Sequence, residues 1–217
     1  MTLTSKPEGA PARWKPWEYR IAPEIEDAVS QVSRAVLVEA PHTSLWDGYH
    51  TVVGRHVRKV NDVLDMSTLE VSLKSEFATK PGIGLLLQWL GFYPVDRKHI
   101  RQFKQHVDER FKSGEPYLLG LSPESTRDPV SEWKNGFLKF ARKYEVPILA
   151  AMIDYSKRVF EIGCIIQPSE LDDTTRILNQ YYDGVVPAYP EGFAHPFTIQ
   201  GERERVTNGR GFEIGGG

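Results

Sequence analysis

Short apolar runs alternate with helical patterns along most of the chain, and this alternation limits the fold more than any other feature. Residues 35–40 form a compact apolar run that stops at Pro41, which is typical of a buried strand. Residues 117–121 stop in the same way at Pro123. Apolar residues at helical spacing lie between such runs, as in Ile100, Phe103, Val107 and Phe111. The order predicts an α/β fold, a single domain with a sheet flanked by helices.

A predicted hairpin decides the direction of some of the strands. Residues 146–155 and 158–166 are strand-like runs on either side of Ser156 and Lys157. Because a hairpin joins antiparallel strands, we expect a mixed sheet that is mostly parallel.

Another pattern predicts a helix from Asp47 onwards, with one apolar stripe facing the core. Its members are Tyr49, Val52, Val53, His56, Val57 and Val60. A broken apolar helix is predicted over residues 77–90.

Composition excludes several classes of protein. Of the 217 residues, 40% are hydrophobic and 26% charged, which argues against wholesale disorder. A formal net charge of -2 argues against a dedicated nucleic-acid binder. The single cysteine, Cys164, cannot form an internal disulfide. No apolar stretch reaches the ~20 residues of a spanning helix, so we expect a soluble or peripheral protein. We expect it to be cytoplasmic, with peripheral contact with the membrane left open.

Changes in composition also suggest how the chain is divided. We expect an N-terminal extension at residues 1–34, irregular up to residue 20, a domain at residues 35–186 and a tail at residues 187–217. Aromatic and cationic residues are interleaved in residues 13–20. This pattern suits peripheral contact with a membrane. The alternative is a strap whose rings pack on the domain, which Pro16 and Pro23 favour because they break any long interfacial helix.

The first candidate functional residues follow a predicted strand, where open α/β sheets place ligands. His42 follows residues 35–40, and Asp47 lies five positions later at a predicted helix start. A turn between them can bring the carboxylate to the imidazole, fixing its tautomer and stabilising the imidazolium. The other ring nitrogen can then take a proton from a substrate hydroxyl. The alternative is that Asp47 and Ser44 only cap the helix.

Two further segments bring cations to the ends of predicted strands. Arg97 follows residues 92–95 and can grip a phosphate through two hydrogen bonds, or it can lie on a solvated helix face. The other segment follows residues 117–121 and can cradle a polar headgroup, or form a capped turn with a Glu–Arg surface pair. Its residues are Glu124, Ser125, Thr126 and Arg127.

In this order the motifs resemble those of the glycerolipid acyltransferases, whose best-known members are the lysophosphatidate acyltransferases. The matching motifs are H-x-x-x-x-D at residues 42–47, G-x-x-x-x-x-R at 91–97, P-E-x-T-R at 123–127 and V-P-I at 146–148. Lys74 and residues 133–137 resemble the family's connecting segments. The resemblance spans residues 36–183.

The resemblance implies a reaction and roles for the residues. His42 would act as general base towards an acceptor hydroxyl, with Asp47 orienting it, and the hydroxyl would attack the thioester of acyl-CoA or acyl carrier protein. Arg97 and Arg127 would bind the phosphate of a lysophospholipid-like acceptor, and Glu124 would shape that pocket. The other residues expected to contact substrate are Lys74, Ser125 and Thr126.

Acyl transfer to a hydroxyl needs no metal and no cofactor beyond the acyl donor. A site formed by His42, Asp47 and His50 would lack an evident fourth ligand, so we predict no metal.

Departures from the family's pattern leave other functions open. Ser125 stands where the family has glycine, which is costly if the backbone there needs a positive φ. Pro41 stands where asparagine is usual. One alternative is a hydrolase that uses the His42–Asp47 pair with water as acceptor. The other, which Ser125 favours, is a diverged lipid-binding protein without catalysis.

Overall fold

The computed structural model describes residues 15–74, 90–95 and 100–201. The strands are β1 (Glu18–Ile21), β2 (Arg34–Ala40), β3 (Leu69–Lys74), β4 (Phe92–Val95), β5 (Tyr117–Leu121), β6 (Glu132–Trp133), β7 (Ile148–Asp154), β8 (Val159–Ile166) and β9 (Thr198–Ile199). The α-helices are α1 (Glu26–Ser30), α2 (Leu45–His56), α3 (Arg58–Asn61), α4 (Ile100–Lys112), α5 (Gly136–Tyr144) and α6 (Thr174–Tyr182). Short 3₁₀ helices span Pro23–Ile25, Met66–Thr68, Pro168–Asp173 and Pro190–Gly192.

Within the described part of the chain, seven strands form one mixed sheet in the order β1-β8-β7-β2-β5-β3-β4. Strands β7, β2, β5, β3 and β4 are parallel, whereas β8 runs antiparallel to β7 and β1 runs parallel to β8. The predicted α/β class and the predicted hairpin are therefore confirmed. The five parallel strands all end at one edge of the sheet, which we call the carboxyl edge.

Strand β2 shows why both faces of the sheet are covered. Val36, Val38 and Ala40 belong to the core beneath α4, α5 and α6. Ala35 and Leu37 belong to a second core, beneath α1 and α3. All five side chains are buried, because successive residues of a strand point to opposite faces. A strand buried on both faces has a continuous apolar run, and this is the pattern that predicted it.

The N-terminal segment joins the sheet, which the sequence did not predict. Residues 18–20 were expected to be irregular, yet β1 pairs with β8, with Glu18 opposite Val159. The ring centroid of Trp17 lies 3.7 Å from that of His50, and the Tyr19 hydroxyl lies 2.8 Å from Nδ1 of the same histidine. For these two aromatic residues, the strap packed on the domain is the correct interpretation of the pattern. The domain boundary at residue 35 stays a prediction.

Helix α2 buries a different face from the one predicted. Its buried residues are Asp47, His50, Thr51 and Gly54, whereas Tyr49 is 53% exposed and His56 is exposed. The helix comes so close to β8 at Gly54 that an added Cβ there would lie 3.0 Å from the Phe160 ring. The polar face turns inward because the carboxyl edge offers it hydrogen-bonding partners, which the apolar pattern could not reveal.

Part of the expected C-terminal tail packs on the domain. Strand β9 pairs with β6, and the Phe197 ring stacks on Trp133 at a centroid distance of 3.5 Å. Nearer the carboxyl edge, the Tyr189 N–H donates to the Thr43 hydroxyl at 3.3 Å. Among residues 15–74, 90–95 and 100–201, no helix is long and apolar enough to cross a bilayer. The helix predicted over residues 77–90 lies outside the described residues, apart from Leu90.

Candidate active site

His42 and Asp47 meet at the carboxyl edge, in the turn between β2 and α2. The His42 Nδ1 atom lies 3.7 Å from Asp47 Oδ2. Ser44 caps α2, since its hydroxyl accepts from the Trp46 N–H at 3.1 Å, and Asp47 completes a capping box with the Ser44 N–H. The helix-capping interpretation and the His–Asp pair are thus both present in one turn. The cap holds the carboxylate where the imidazole can use it.

The Asp47 carboxylate is fully buried and accepts three hydrogen bonds. Its Oδ2 accepts the Thr43 and Ser44 N–H groups at 2.8 and 2.7 Å. Its Oδ1 accepts the Tyr155 hydroxyl at 2.7 Å. Burial raises the pKa of Asp47, and the hydrogen bonds and the nearby His42 oppose that rise. The carboxylate is therefore held in one orientation, with one oxygen facing the imidazole.

Glu124 fixes the backbone of His42 from the end of β5. Its Oε2 accepts the His42 N–H at 2.6 Å, and the residue is only 4% exposed. Burial raises the pKa of Glu124 to about 8. A buried carboxyl cannot form a Glu–Arg surface pair, so that alternative is wrong for Glu124. The side chain supports His42, while Arg127 beside it is exposed.

The backbone at Ser125 has a positive φ, the conformation in which replacing glycine by serine is costly. Its φ is 58°, in the left-handed region that glycine tolerates best. The Ser125 N–H donates to the Ser122 carbonyl at 3.2 Å, which closes the turn after β5. The Thr126 hydroxyl lies 3.2 Å from an Asp128 carboxylate oxygen. The turn after β5 therefore forms with serine in left-handed backbone.

A cavity of about 840 Å³ opens over the carboxyl edge and includes His42 in its wall. Its lining residues on the face of the sheet covered by α2, which we call the α2-side arm, include Leu37, Glu39, Thr51, Val52, Val71 and Gly120. Its lining residues on the opposite face, which we call the α4-side arm, include Phe103, Lys104, Lys134, Phe137 and Phe140. The α2-side arm is mostly apolar, whereas lysines border the other arm.

Most of the predicted site residues meet at this cavity. His42, Ser125, Thr126 and Arg127 line it, and Asp47 and Glu124 hold His42 from behind. Lys74 ends β3 at the same edge, but its side chain lies outside the described part of the structure. Arg97 lies outside the described residues. The expected roles of Lys74 and Arg97 stay predictions.

Two residues of the site were missed by the sequence reasoning. Tyr155 directly follows β7 at the carboxyl edge, so the rule that functional residues follow strands could have found it. Glu39 lies inside β2, where a single charged residue interrupts the apolar run. Its carboxylate accepts a hydrogen bond from the Thr51 hydroxyl, and burial raises its pKa to about 8. This charged residue within an apolar run was the sequence feature that could have identified Glu39 as part of the site.

His50, which a metal site would have needed as a ligand, has other partners. Its Nδ1 faces the Tyr19 hydroxyl, and its ring packs against Trp17, Tyr49 and Tyr155. Burial lowers the pKa of His50 to about 4. Across the described ranges, no three metal-ligating side chains form a group that could hold a metal ion.

Comparison with known proteins gives a family match. The model of the family described as Acyltransferase matches residues 20–154. The match runs from β1 to the end of β7 and includes His42, Asp47 and the turn after β5. No curated protein and no solved structure matches the chain significantly.

Proposed function

The chain belongs to the acyltransferase family, and from that premise we propose that it transfers a fatty acyl group from a thioester to a hydroxyl of a lysophospholipid-like acceptor of the 1-acylglycerol-3-phosphate type. The donor is acyl-CoA or acyl carrier protein, used as a co-substrate without a further cofactor. One observation carries the proposal. His42 stands in the wall of a largely apolar cavity, with its ring beside buried Asp47 and its backbone bonded to buried Glu124.

His42 acts as the general base in the proposed reaction. Its Nδ1 faces Asp47, so Nε2 is the ring nitrogen that takes the proton of the acceptor hydroxyl. The hydroxyl oxygen attacks the thioester carbonyl carbon and forms the new C–O bond. The C–S bond then breaks, and the proton passes from the imidazolium to the thiolate sulfur. Asp47 stabilises the imidazolium during the time that it carries the proton.

Charge around the cavity supports an anionic substrate. Arg127, Lys104 and Lys134 border it, and all three side chains are exposed, as ligands for a phosphate of the acceptor or of the donor would be. Arg97 and Lys74 are proposed to join them from the ends of β4 and β3. Ser125 and Thr126 are proposed to bind the same headgroup.

Peripheral contact with a cytoplasmic membrane surface is part of the proposal. Leu45, Trp46 and Tyr49, at the start of α2, are 63%, 63% and 53% exposed. Leu45 and Tyr49 also line the cavity. Exposed aromatic and aliphatic side chains at a cavity mouth would let an acyl chain enter from lipid without crossing water.

Thiol release from acyl-CoA donors, with and without lysophosphatidate, tests the reaction. Wild type and His42→Ala are compared, and mass spectrometry identifies the product. We expect release that requires both the acceptor and His42. His56→Ala, which removes an exposed histidine from the far end of α2, should retain activity.

Three results would contradict the proposal. Release without acceptor would identify a hydrolase. Activity of His42→Ala equal to that of wild type would remove His42 as the base. Binding of lipid without turnover from either CoA or carrier-protein donors, in folded wild type, would identify a lipid-binding protein.

A further inference from the structure

A single carboxyl group interrupts the apolar wall of the α2-side arm. Glu39 lies on β2 two residues from Leu37, so the two side chains point to the same face of the sheet. Both line the cavity, together with Val52 of α2 and Val71 of β3. Glu39 therefore places a polar group in a part of the cavity whose other side chains suit a hydrocarbon chain.

The Glu39 carboxyl has one partner and one unused oxygen. The Thr51 hydroxyl donates to Oε2, and within the described chain Oε1 has no hydrogen-bond partner. Burial is the largest cause that raises the pKa of Glu39, and Asp47 and Glu124 raise it further. At neutral pH the group is therefore an uncharged acid, which can both donate and accept a hydrogen bond.

Support of helix α2 does not require this carboxyl. The Thr51 hydroxyl also lies 3.1 Å from the Asp47 carbonyl one turn earlier, a bond that threonine makes within helices without outside help. An apolar side chain at position 39 would fill the arm without adding a third carboxyl near Asp47 and Glu124. Oε1 is not among the buried side-chain atoms of the described chain that lack a partner, so it is open to the cavity, where a ligand can reach it.

We propose that Glu39 recognises a hydroxyl on the acyl chain that occupies the α2-side arm, near the carboxyl end of that chain. The inference rests on the proposed function for the identity of the chain. Glu39 precedes His42 by three residues, roughly 10 Å of extended backbone before the reach of its side chain. That span corresponds to about eight carbons of an extended chain, so a hydroxyl that meets Glu39 lies in the carboxyl-end part of a long acyl chain. A 3-hydroxyacyl group is the simplest such chain.

The α2-side arm suits an uncharged chain better than the α4-side arm does. Lys104 and Lys134 border the α4-side arm and favour anionic groups there. Polar groups buried in a binding pocket bind a substrate hydroxyl and reject the analogue that lacks it, because the analogue leaves them unpaired. Glu39 would accordingly select hydroxylated chains over plain ones.

Binding of two thioesters tests the proposal without turnover. Dissociation constants of 3-hydroxytetradecanoyl-CoA and tetradecanoyl-CoA are measured by calorimetry in a His42→Ala background. We expect the hydroxylated donor to bind about tenfold more tightly. The ratio of the two dissociation constants should fall to about one when Glu39→Leu is added. Glu39→Gln should keep most of it, since an amide also donates and accepts.

A matched control removes a carboxyl outside the cavity. Glu70 on β3 is bonded to His106 and Tyr117, so Glu70→Gln should leave the ratio unchanged. Equal binding of the two thioesters by protein that retains Glu39 would overturn the proposal. A ratio that does not change when Glu39→Leu is added, in proteins of matched thermal stability, would overturn it as well. If the preference is present and no acyl transfer occurs, the proposed function fails and the recognition stands. If transfer occurs without preference, only the recognition fails.

Discussion

At the scale of single residues, Asp47 combines two tasks that usually fall to different side chains. It completes the capping box of α2, and it presents one oxygen at 3.7 Å from the His42 ring. Ser125, in contrast, adopts a strained backbone conformation. Its φ of 58° costs a non-glycine residue about 1–2 kcal/mol. That cost is small beside the stability of a domain, so the turn can form with serine.

The Tyr155 hydroxyl donates a hydrogen bond to the Asp47 carboxylate, and its removal should slow the proposed reaction. Tyr155→Phe keeps the ring that packs on Trp17 but removes the 2.7 Å bond to Oδ1. A hydrogen bond to a charged group contributes about 1.5–3 kcal/mol, so kcat should fall roughly tenfold or more, with KM little changed. Steady-state kinetics over a range of pH measure both constants.

Tyr144 provides the matched control for Tyr155. Its hydroxyl also donates to an aspartate, Asp108, but on α4 and α5 and not in the wall of the cavity. Tyr144→Phe should leave kcat unchanged. A Tyr155→Phe enzyme with wild-type kcat and an unshifted pH profile would show that the bond has no part in positioning Asp47.

At the scale of elements, α2 owes its orientation to its polar face. Asp47, His50 and Thr51 turn towards the sheet, where they meet His42, Tyr19 and Glu39 respectively. The apolar side chains at the start of the helix are consequently left on the outside. One helix thus supplies the cap, the carboxylate beside His42 and an exposed hydrophobic surface.

The exposed start of α2 should carry the proposed contact with lipid. Trp46 is 63% exposed and, unlike Leu45 and Tyr49, does not line the cavity. Trp46→Ala should weaken binding to vesicles that contain anionic phospholipid, because a buried aromatic side chain contributes about 1.5–3 kcal/mol. Co-sedimentation with the vesicles measures the effect, roughly tenfold in the partition coefficient.

His56→Ala, at the other end of α2, is the control for vesicle binding. It should bind as wild type does. The Trp46 variant should retain thiol release from a water-soluble short-chain donor. Vesicle binding unaffected by Trp46→Ala would exclude this surface as the membrane contact.

At the scale of the whole molecule, three carboxyls lie close enough to one another at the carboxyl edge to interact electrostatically. Glu39, Asp47 and Glu124 come from β2, α2 and the end of β5, and burial raises the pKa of each. Segments far apart in the chain enclose this cluster, since Trp17 packs on His50 and the Tyr189 N–H donates to Thr43. Protonation of these three carboxyls should therefore affect both the candidate site and the free energy of unfolding.

Stability should fall as the pH rises, and Glu124 should account for part of the fall. Its pKa is raised from 4.5 to about 8, so between these values the folded state holds a proton that the unfolded state has released. The stabilisation is complete below about pH 4.5 and is lost as the pH passes through 8. The free energy of unfolding, measured with urea from about pH 5 to about pH 9, should decrease by an amount on the order of a few kcal/mol.

Glu124→Gln keeps an oxygen for the His42 N–H and removes the titration. The urea midpoint of this variant should depend less on pH than that of wild type. Glu132→Gln, which changes an exposed residue of β6, is the matched control. An identical pH dependence in wild type and Glu124→Gln would show that Glu124 does not titrate in this range.

The sequence by itself determined the α/β class, the parallel core strands and the turn that holds His42 and Asp47. These features depend on local patterns, namely apolar runs stopped by proline and a carboxylate at a helix start. A positive φ at residue 125 could also be anticipated, because the family has glycine at this position and glycine tolerates a positive φ. In each case the cause lies within a few residues of its effect.

Only the tertiary structure decided which distant residues complete the site. Tyr155 reaches Asp47 across 108 positions, and Glu124 reaches the His42 backbone across 82. The same packing decided that α2 turns its polar face inward and that residues 18–21 form a strand. Such pairings depend on sheet order, because strands β2, β5 and β7 become neighbours only when their shared apolar faces are buried together. No local sequence pattern specifies the order of the strands in the sheet.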